Sequence, residues 1–354
     1  MSIFYLIIAI SILILIHEAG HFYAARFFKV KVEEFGFGFP PRVFSVMRRG
    51  IRYSFNALPF GGFVKIFGEH GEGEENRESF AARPGWQRFL ILGAGVGMNA
   101  ALAWMLFSAA AGIGLPRAGD TAAGVPVSII AVMPDSPADA AGLKLGDEIM
   151  ELGSRTATVV VSSEDDVSAF TRAHRGEEIT VVVLRAGEIR SINATLRGDT
   201  GPDEGPLGIA MGRLGVVRVP LYRAPVEGAK MLWWSTGVIV FGFADILREL
   251  LFEWNTNIPV AGPIGIFVMG ADIGVLGISY FLQFIALISV NLAVLNVLPI
   301  PALDGGRIFF VAIEKLKGSR INPRFENAAH ATGFVFLLLL LMLVTYKDVM
   351  RIVY

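Results

Sequence analysis

The sequence predicts a polytopic α-helical membrane protein. It has about four transmembrane helices, an inserted extracytoplasmic α+β domain and a membrane-associated β segment on the cytoplasmic side. Two observations carry this. The 354 residues are 53% hydrophobic and 18% charged, against about 25% charged in a soluble domain. The apolar residues also gather in runs close to the roughly 20 residues a spanning helix needs. A net charge of −1 excludes the basic footprint of a nucleic-acid partner. The absence of cysteine excludes disulfides, thiolate metal sites and cysteine nucleophiles.

Residues 1–28 form the first span. No basic leader and no small-x-small cleavage site accompany the apolar run, so it reads as a retained span rather than a signal peptide. Residues 29–88 carry Lys29, Lys31, Arg42, Arg48, Arg49, Arg52, Lys65, Arg77, Arg83 and Arg88, which by the positive-inside rule places this segment in the cytoplasm and the N-terminus outside. Residues 89–114 cross outward, and 115–222 lie outside. Residues 278–310 form the third span and 328–354 the fourth. Between them, 311–327 is a cytoplasmic loop holding Lys315, Lys317, Arg320 and Arg324. Parity then governs the apolar run Met231–Leu247. If it crossed, the Lys315–Arg324 loop would fall outside, against the charge rule. Residues 223–277 are therefore expected to be amphipathic or surface-lying.

The outside segment has its own pattern. "VSIIAVMPDSPADAAGLKLGDEIMEL" reads as strand, turn, short helix, strand, and "EEITVVVLRAG" with "IRSINATLRG" as a hairpin around Ala186-Gly187. "GLKLGDEI", Gly142–Ile149, resembles the signature of PDZ domains, which accept peptide C-termini by adding a strand to a sheet edge. The plainer reading is a β-rich domain without a ligand. "GEHGEGEENRE" is a solvated Gly/Glu loop.

The chemistry begins inside the first span. "HEAGH" places His17 and His21 four residues apart on one helix face, with Glu18 beside the first. Two imidazoles at this spacing hold a zinc ion, and the adjacent carboxylate takes a proton from the attacking water. Ionisable side chains within a span are costly, ~2.5 kcal/mol or more for a central charge, so three in five positions imply a compensating interaction. The alternative is a pair of buried histidines hydrogen-bonded between helices. The helix rises about 21 Å from Ile3 to His17, which sets the site below the surface, toward the cytoplasm.

Zinc needs a third ligand. His174 lies outside, His70 sits in the Gly/Glu loop, and His330 reads as a helix-end residue. Asp304, in "NLAVLNVLPIPALDGGR", is the better candidate. Pro299 and Pro301 break the helix before it, and Gly305-Gly306 permit a tight turn after it. The competing reading is a simple Asp-Gly-Gly turn at the interface.

With both motifs in hand, the chain resembles the site-2 protease family of intramembrane zinc metalloproteases, in particular the bacterial branch that includes the regulator of sigma-E protease, here with a single PDZ domain. His-Glu-Ala-Gly-His at His17–His21, Asn-x-x-Pro-x-Pro-x-Leu-Asp-Gly-Gly at Asn296–Gly306 and the PDZ-like segment carry the resemblance. "LPFGGFVKIFGE" (Leu58–Glu69) and "AGPIGI" (Ala261–Ile266) support it. It implies zinc held by His17, His21 and Asp304, with Glu18 as the catalytic acid/base. It also implies substrate handling by Asn296 and by a strand edge at Gly61, Gly62 and Phe63. The implied setting is the bacterial inner membrane. The implied substrates are single-span membrane proteins, of the anti-sigma-factor type or remnant signal peptides, after a first extracytoplasmic cut. Two departures stand out. Studied relatives carry tandem PDZ domains, and often Gly-Pro-x-x-Asn in the second span, where this chain has Gly95-Val96-Gly97-Met98-Asn99. Two other classes compete: an inactive zinc-binding scaffold that gathers partners through its PDZ domain, which intact Glu18 disfavours, and a transporter, which the lack of repeated broken helices disfavours.

Overall fold

Apolar helices dominate the computed structural model, which describes residues 3–118, 126–185, 187–199, 205–217, 219–249, 252 and 262–353. Five of them are long and apolar enough to cross a membrane by length and composition. They are α1 (Ile3–Phe27), α2 (Gly85–Ile113), α5 (Ala224–Arg248), α7 (Ile278–Val297) and α9 (Pro323–Val353). Many of their large apolar side chains stay exposed, as with Phe4, Phe241, Leu339 and Met342. Exposed apolar surface of this extent is what a lipid-facing helix presents.

Beside the expectation of about four spans stand five candidate helices. Within 223–277, expected to lie at the surface, α5 is 25 residues long and, though the least apolar of the five, apolar enough to cross. The stretch 278–310, expected as one span, is two helices. α7 stops at Val297, and α8 (Asp304–Lys317) starts afresh. The cause is local. Pro299 and Pro301 lack the amide hydrogen a helix interior uses, and Ala302 takes a positive φ of 84°. Ahead of α7, a 13-residue helix, α6 (Pro263–Val275), ends before Gly277. Of the "AGPIGI" motif, Ala261 lies outside the described residues.

Two compact units divide the chain. The first comprises Met1–Ala110, Leu221–Gly274 and Phe281–Tyr354. Its packing runs through Leu6 and Leu13 of α1 against Phe284 and Ile285 of α7, and through Ala103 and Phe107 of α2 against Ala286 and Val290. It also contains the long strands β1 (Val32–Arg48) and β2 (Ile51–Ile66), joined by a tight turn in which Arg49 and Gly50 both have positive φ, the geometry of a two-residue hairpin. Residues Glu34–Phe37 pair on both sides, with Arg52–Phe55 and with Gly62–Lys65. The outer edge of Gly61–Ile66 is left beside α1.

The second unit comprises Ala111–Pro220 with Val275–Tyr280. An antiparallel sheet runs in the order β3 (Leu115–Ala118), β9 (Ile209–Val217), β4 (Val127–Val132), β5 (Glu148–Gly153), β7 (Glu178–Arg185), β8 (Glu188–Thr195), with β6 (Thr158–Val160) on β5. Helices α3 (Pro137–Ala141) and α4 (Glu164–Ala173) complete it. The core is Val127, Ile129, Ile149, Leu152, Val167, Ile179, Val181 and Val183, the inward-facing half of an alternating pattern. The strand–turn–helix–strand order read from the sequence is present, and so is the β7–β8 hairpin, of which Ala186 lies outside the described residues. Asp147 of "GLKLGDEI" is fully buried and binds the Arg185 guanidinium at 2.6 Å through both oxygens. It also accepts from Lys144 N at 2.9 Å. This ion pair holds the Arg185 pKa above its ordinary value, through its hydrogen bonds to Asp147.

Candidate metal centre

α1 presents the two histidines because i and i+4 share a helical face. Their rings meet edge to face, with centroids 4.8 Å apart. Asp304 arrives from the far end of the chain, 287 residues after His17. It is the first residue of α8, after a turn at Pro301-Ala302 and the extended N-cap residue Leu303. The glycines that follow let this corner close. A Cβ at Gly305 would lie 2.1 Å from Leu298 O, and one at Gly306 2.4 Å from Ile300 O.

The three side chains converge on one point. His17 Nε2 is 2.9 Å from Asp304 Oδ2, His21 Nε2 is 3.2 Å from the same oxygen, and the two Nε2 atoms are 3.2 Å apart. Ligands bound about 2.05 Å from a tetrahedral zinc lie roughly 3.3 Å from one another, so this near-equilateral triangle fits that ion. Both histidines are buried, and Asp304 is partly so. Two imidazoles and a carboxylate make the donor count of a catalytic zinc site, where structural sites use four protein ligands. Among the described residues this is the one group of three or more such side chains close enough to share a metal.

Glu18 follows His17, and its Oε2 accepts a hydrogen bond from Val64 N of β2 at 3.0 Å. The contact is close because Gly62 has no side chain: a Cβ there would lie 3.1 Å from Leu15 and 3.7 Å from Glu18 Cγ. Gly61, with φ +85°, and Phe63, paired with Gly36, continue the same edge. Asn296 sits half-buried on the last turn of α7. Among the described residues no hydrogen bond joins its side chain to the triad. The other histidines stand apart. His330 accepts from Ala302 N at 2.8 Å, His174 stacks on Phe170, and His70 is in the exposed Gly/Glu loop.

Sequence reading missed the groups behind the ligands. His21 Nδ1 donates to Ile91 O at 2.9 Å. That fixes the proton on Nδ1 and leaves Nε2 as the lone-pair atom. His17 Nδ1 faces the Asn99 side chain at 3.3 Å. Both partners lie on α2, which can approach because Gly95 has no side chain: a Cβ there would sit 2.4 Å from His21 Nε2. The detectable signal was the Gly95-x-x-x-Asn99 spacing, which repeats the i, i+4 period of His17 and His21.

The family model described as Peptidase family M50 matches residues 5–340. A candidate zinc metalloprotease of Fusobacterium nucleatum is 33% identical over 351 residues, covering 98% of each chain. One of Clostridium perfringens is 33% identical over 356 residues, covering 99% of this chain and 98% of its own. Zinc metalloprotease RasP of Oceanobacillus iheyensis is 26% identical over 433 residues, covering 98% of each.

Proposed function

The chain belongs to peptidase family M50, and on that premise we propose that it is a membrane-embedded zinc metalloendopeptidase that cuts peptide bonds within the transmembrane segments of single-span proteins. The observation that carries the reading is the triangle of His17, His21 and Asp304 with Glu18 adjacent, built on helices apolar enough to cross a membrane. His17 and His21 supply neutral imidazole ligands, and Asp304 adds the negative charge that a dication needs in an apolar setting. Zinc bound there supplies a Lewis acid for the scissile carbonyl and lowers the pKa of water. Glu18 accepts the proton of the attacking water and returns it to the departing amide nitrogen. Its hydrogen bond from Val64 holds the carboxylate in place for both transfers.

A transmembrane helix hides its carbonyls in its own hydrogen bonds, so it must unwind before it is cut, and the freed groups need partners. The outer edge of Gly61–Ile66, beside Glu18, is suited to give them by strand addition. Asn296 would serve the substrate near the metal. Anti-sigma-factor-type proteins and remnant signal peptides, shortened by a first extracytoplasmic cut, are the proposed substrates. The second unit, read as an extracytoplasmic PDZ domain, would admit short stubs or new C-termini. The setting is a bacterial inner membrane with the N-terminus outside, supported by the basic residues of 29–88 and 315–324.

Glu18→Gln is the test. The purified variant is expected to keep stoichiometric zinc and to lose cleavage of a single-span substrate in proteoliposomes by at least ~100-fold. Cleavage at the wild-type rate would overturn the assignment.

A further inference from the structure

The two histidines offer the centre the same atom, Nε2, but their rear nitrogens are held differently. A backbone carbonyl can only accept, so Ile91 O settles His21 in one tautomer. Behind His17 stands the Asn99 amide, which has a donor and an acceptor of nearly equal size. Asn99 is fully buried. Its amide nitrogen is 3.3 Å from His17 Nδ1, and among the described residues its amide oxygen has no hydrogen-bond partner. Its backbone oxygen accepts from Ser289 Oγ at 2.8 Å. The close packing at Gly95, one helical turn earlier, keeps α2 against the imidazoles.

The two amide orientations have opposite consequences. With nitrogen toward His17, Nδ1 accepts, and the ring proton sits on Nε2, where it donates to Asp304 Oδ2 at 2.9 Å. With oxygen toward His17, Nδ1 donates, and Nε2 presents a lone pair to the centre. Only the second orientation is compatible with ligation through Nε2. The amide can switch by rotating half a turn about its last bond, with little change in shape.

We propose that Asn99 is a positioning residue for His17: its amide oxygen accepts the Nδ1 proton in the zinc-loaded protein, and its amide turns to donate when no metal is bound. One side chain thereby serves both tautomers of a buried ligand that, among the described residues, no backbone group holds. The inference rests on the zinc reading of the triad. It assigns a task to a second-span residue that the catalytic scheme leaves unused.

Zinc affinity of the full-length protein, measured by chelator competition, tests it. Asn99→Leu keeps the branching and heavy-atom count of the side chain and removes the acceptor; a 10–100-fold weaker zinc affinity is expected, the usual cost of losing such a partner. Asn99→Asp keeps an acceptor and is expected to bind zinc within a few-fold of wild type. A purely packing role predicts the reverse order, because Leu fills the buried site better than a carboxylate. The proposal is overturned if Asn99→Leu binds zinc as tightly as wild type, or if Asn99→Asp is as weak as Asn99→Leu. Should the leucine variant not fold, nitrogen NMR of histidine-labelled, zinc-loaded wild type decides. A His17 proton on Nδ1 supports the proposal, and ligation through Nδ1 overturns it. His17→Ala separates the two levels. If that variant holds zinc like wild type, the zinc site itself is wrong and the Asn99 assignment falls with it. If it loses zinc while Asn99→Leu does not, only the Asn99 assignment falls.

Discussion

Gly95 shows how much of this centre depends on atoms that are missing from a side chain. Its Cα faces both imidazoles, and an added Cβ would lie 2.4 Å from His21 Nε2 and 2.8 Å from His17 Cε1. Gly20 makes the reciprocal contact, with a Cβ that would meet Ala94 O at 2.4 Å. Neither clash can be relieved by turning a flexible side chain, because the obstacles are ring ligands and backbone. Gly95→Ala is therefore expected to push the histidines off the triangle and lower zinc content by tenfold or more, read by metal analysis of the purified protein. Near-wild-type zinc content would mean that α1 and α2 can separate at little cost. The expected effect differs in kind from that of Glu18→Gln, which leaves the ligands alone and removes only the base.

The pairing of α1 with β2 decides where that base points. Val64 aligns with Phe35 across the ladder, yet its N–H donates to Glu18. Residue pairs in an antiparallel ladder alternate between facing inward and outward, so Val64 turns both backbone groups to the outer edge. Proline there removes the Glu18 contact without removing a ladder bond. Val64→Pro is thus expected to keep zinc but to lower kcat roughly 10–100-fold, the worth of a hydrogen bond to a charged group. An unchanged kcat in steady-state cleavage would show that Glu18 orients itself without β2. Another element is anchored in a similar way. The amides of Gly262 and Gly265, at the start of α6, donate to Asp348 of α9 at 3.0 and 2.8 Å, a helix N-terminus satisfied by a carboxylate from a distant helix.

Contacts within the first unit also constrain how the chain threads a membrane. Arg88, at the start of α2, pairs with Glu314 of α8 at 2.6 Å, and both are largely buried. Arg307 pairs with Glu69, and Arg320 pairs with Glu74 at 2.6 Å and bonds to Ala81 O. Residues 69–88 and 307–320 therefore share one side, as the charge pattern also requires. If α2 crosses away from that side and α7 crosses back to it, α5 and α6 together add an even number of crossings, none or two. The chain has no cysteine, which makes single-cysteine labelling clean. Tyr222→Cys and Gly277→Cys are expected to react from one face of sealed vesicles, and Arg83→Cys and Ser319→Cys from the other. Labelling of Tyr222→Cys and Gly277→Cys from opposite faces would exclude this parity.

His17, Glu18, His21 and Asp304 were legible in the sequence because their chemistry is expensive in an apolar setting, and a helix repeat or a proline–glycine break marks each position. The strands around "GLKLGDEI" were legible because alternation is a local signal. The end of α7 at Val297 was half-visible: the prolines announced a break, but not that α8 would start on the ligand itself. Length and composition make α5 a fifth candidate beside the four expected spans, but apolarity does not state which way a helix lies. The Gly95–Asn99 spacing was visible, but the contacts that Asn99, Ile91 and Val64 make could not be reached from the sequence, since each joins a residue 46 to 82 positions away. Residue type and local period thus specified which groups gather at the candidate metal centre. Which tautomer each ligand adopts, and where the base points, are set by the packing of α2 and β2 on α1, because those depend on distances between segments that no local pattern encodes.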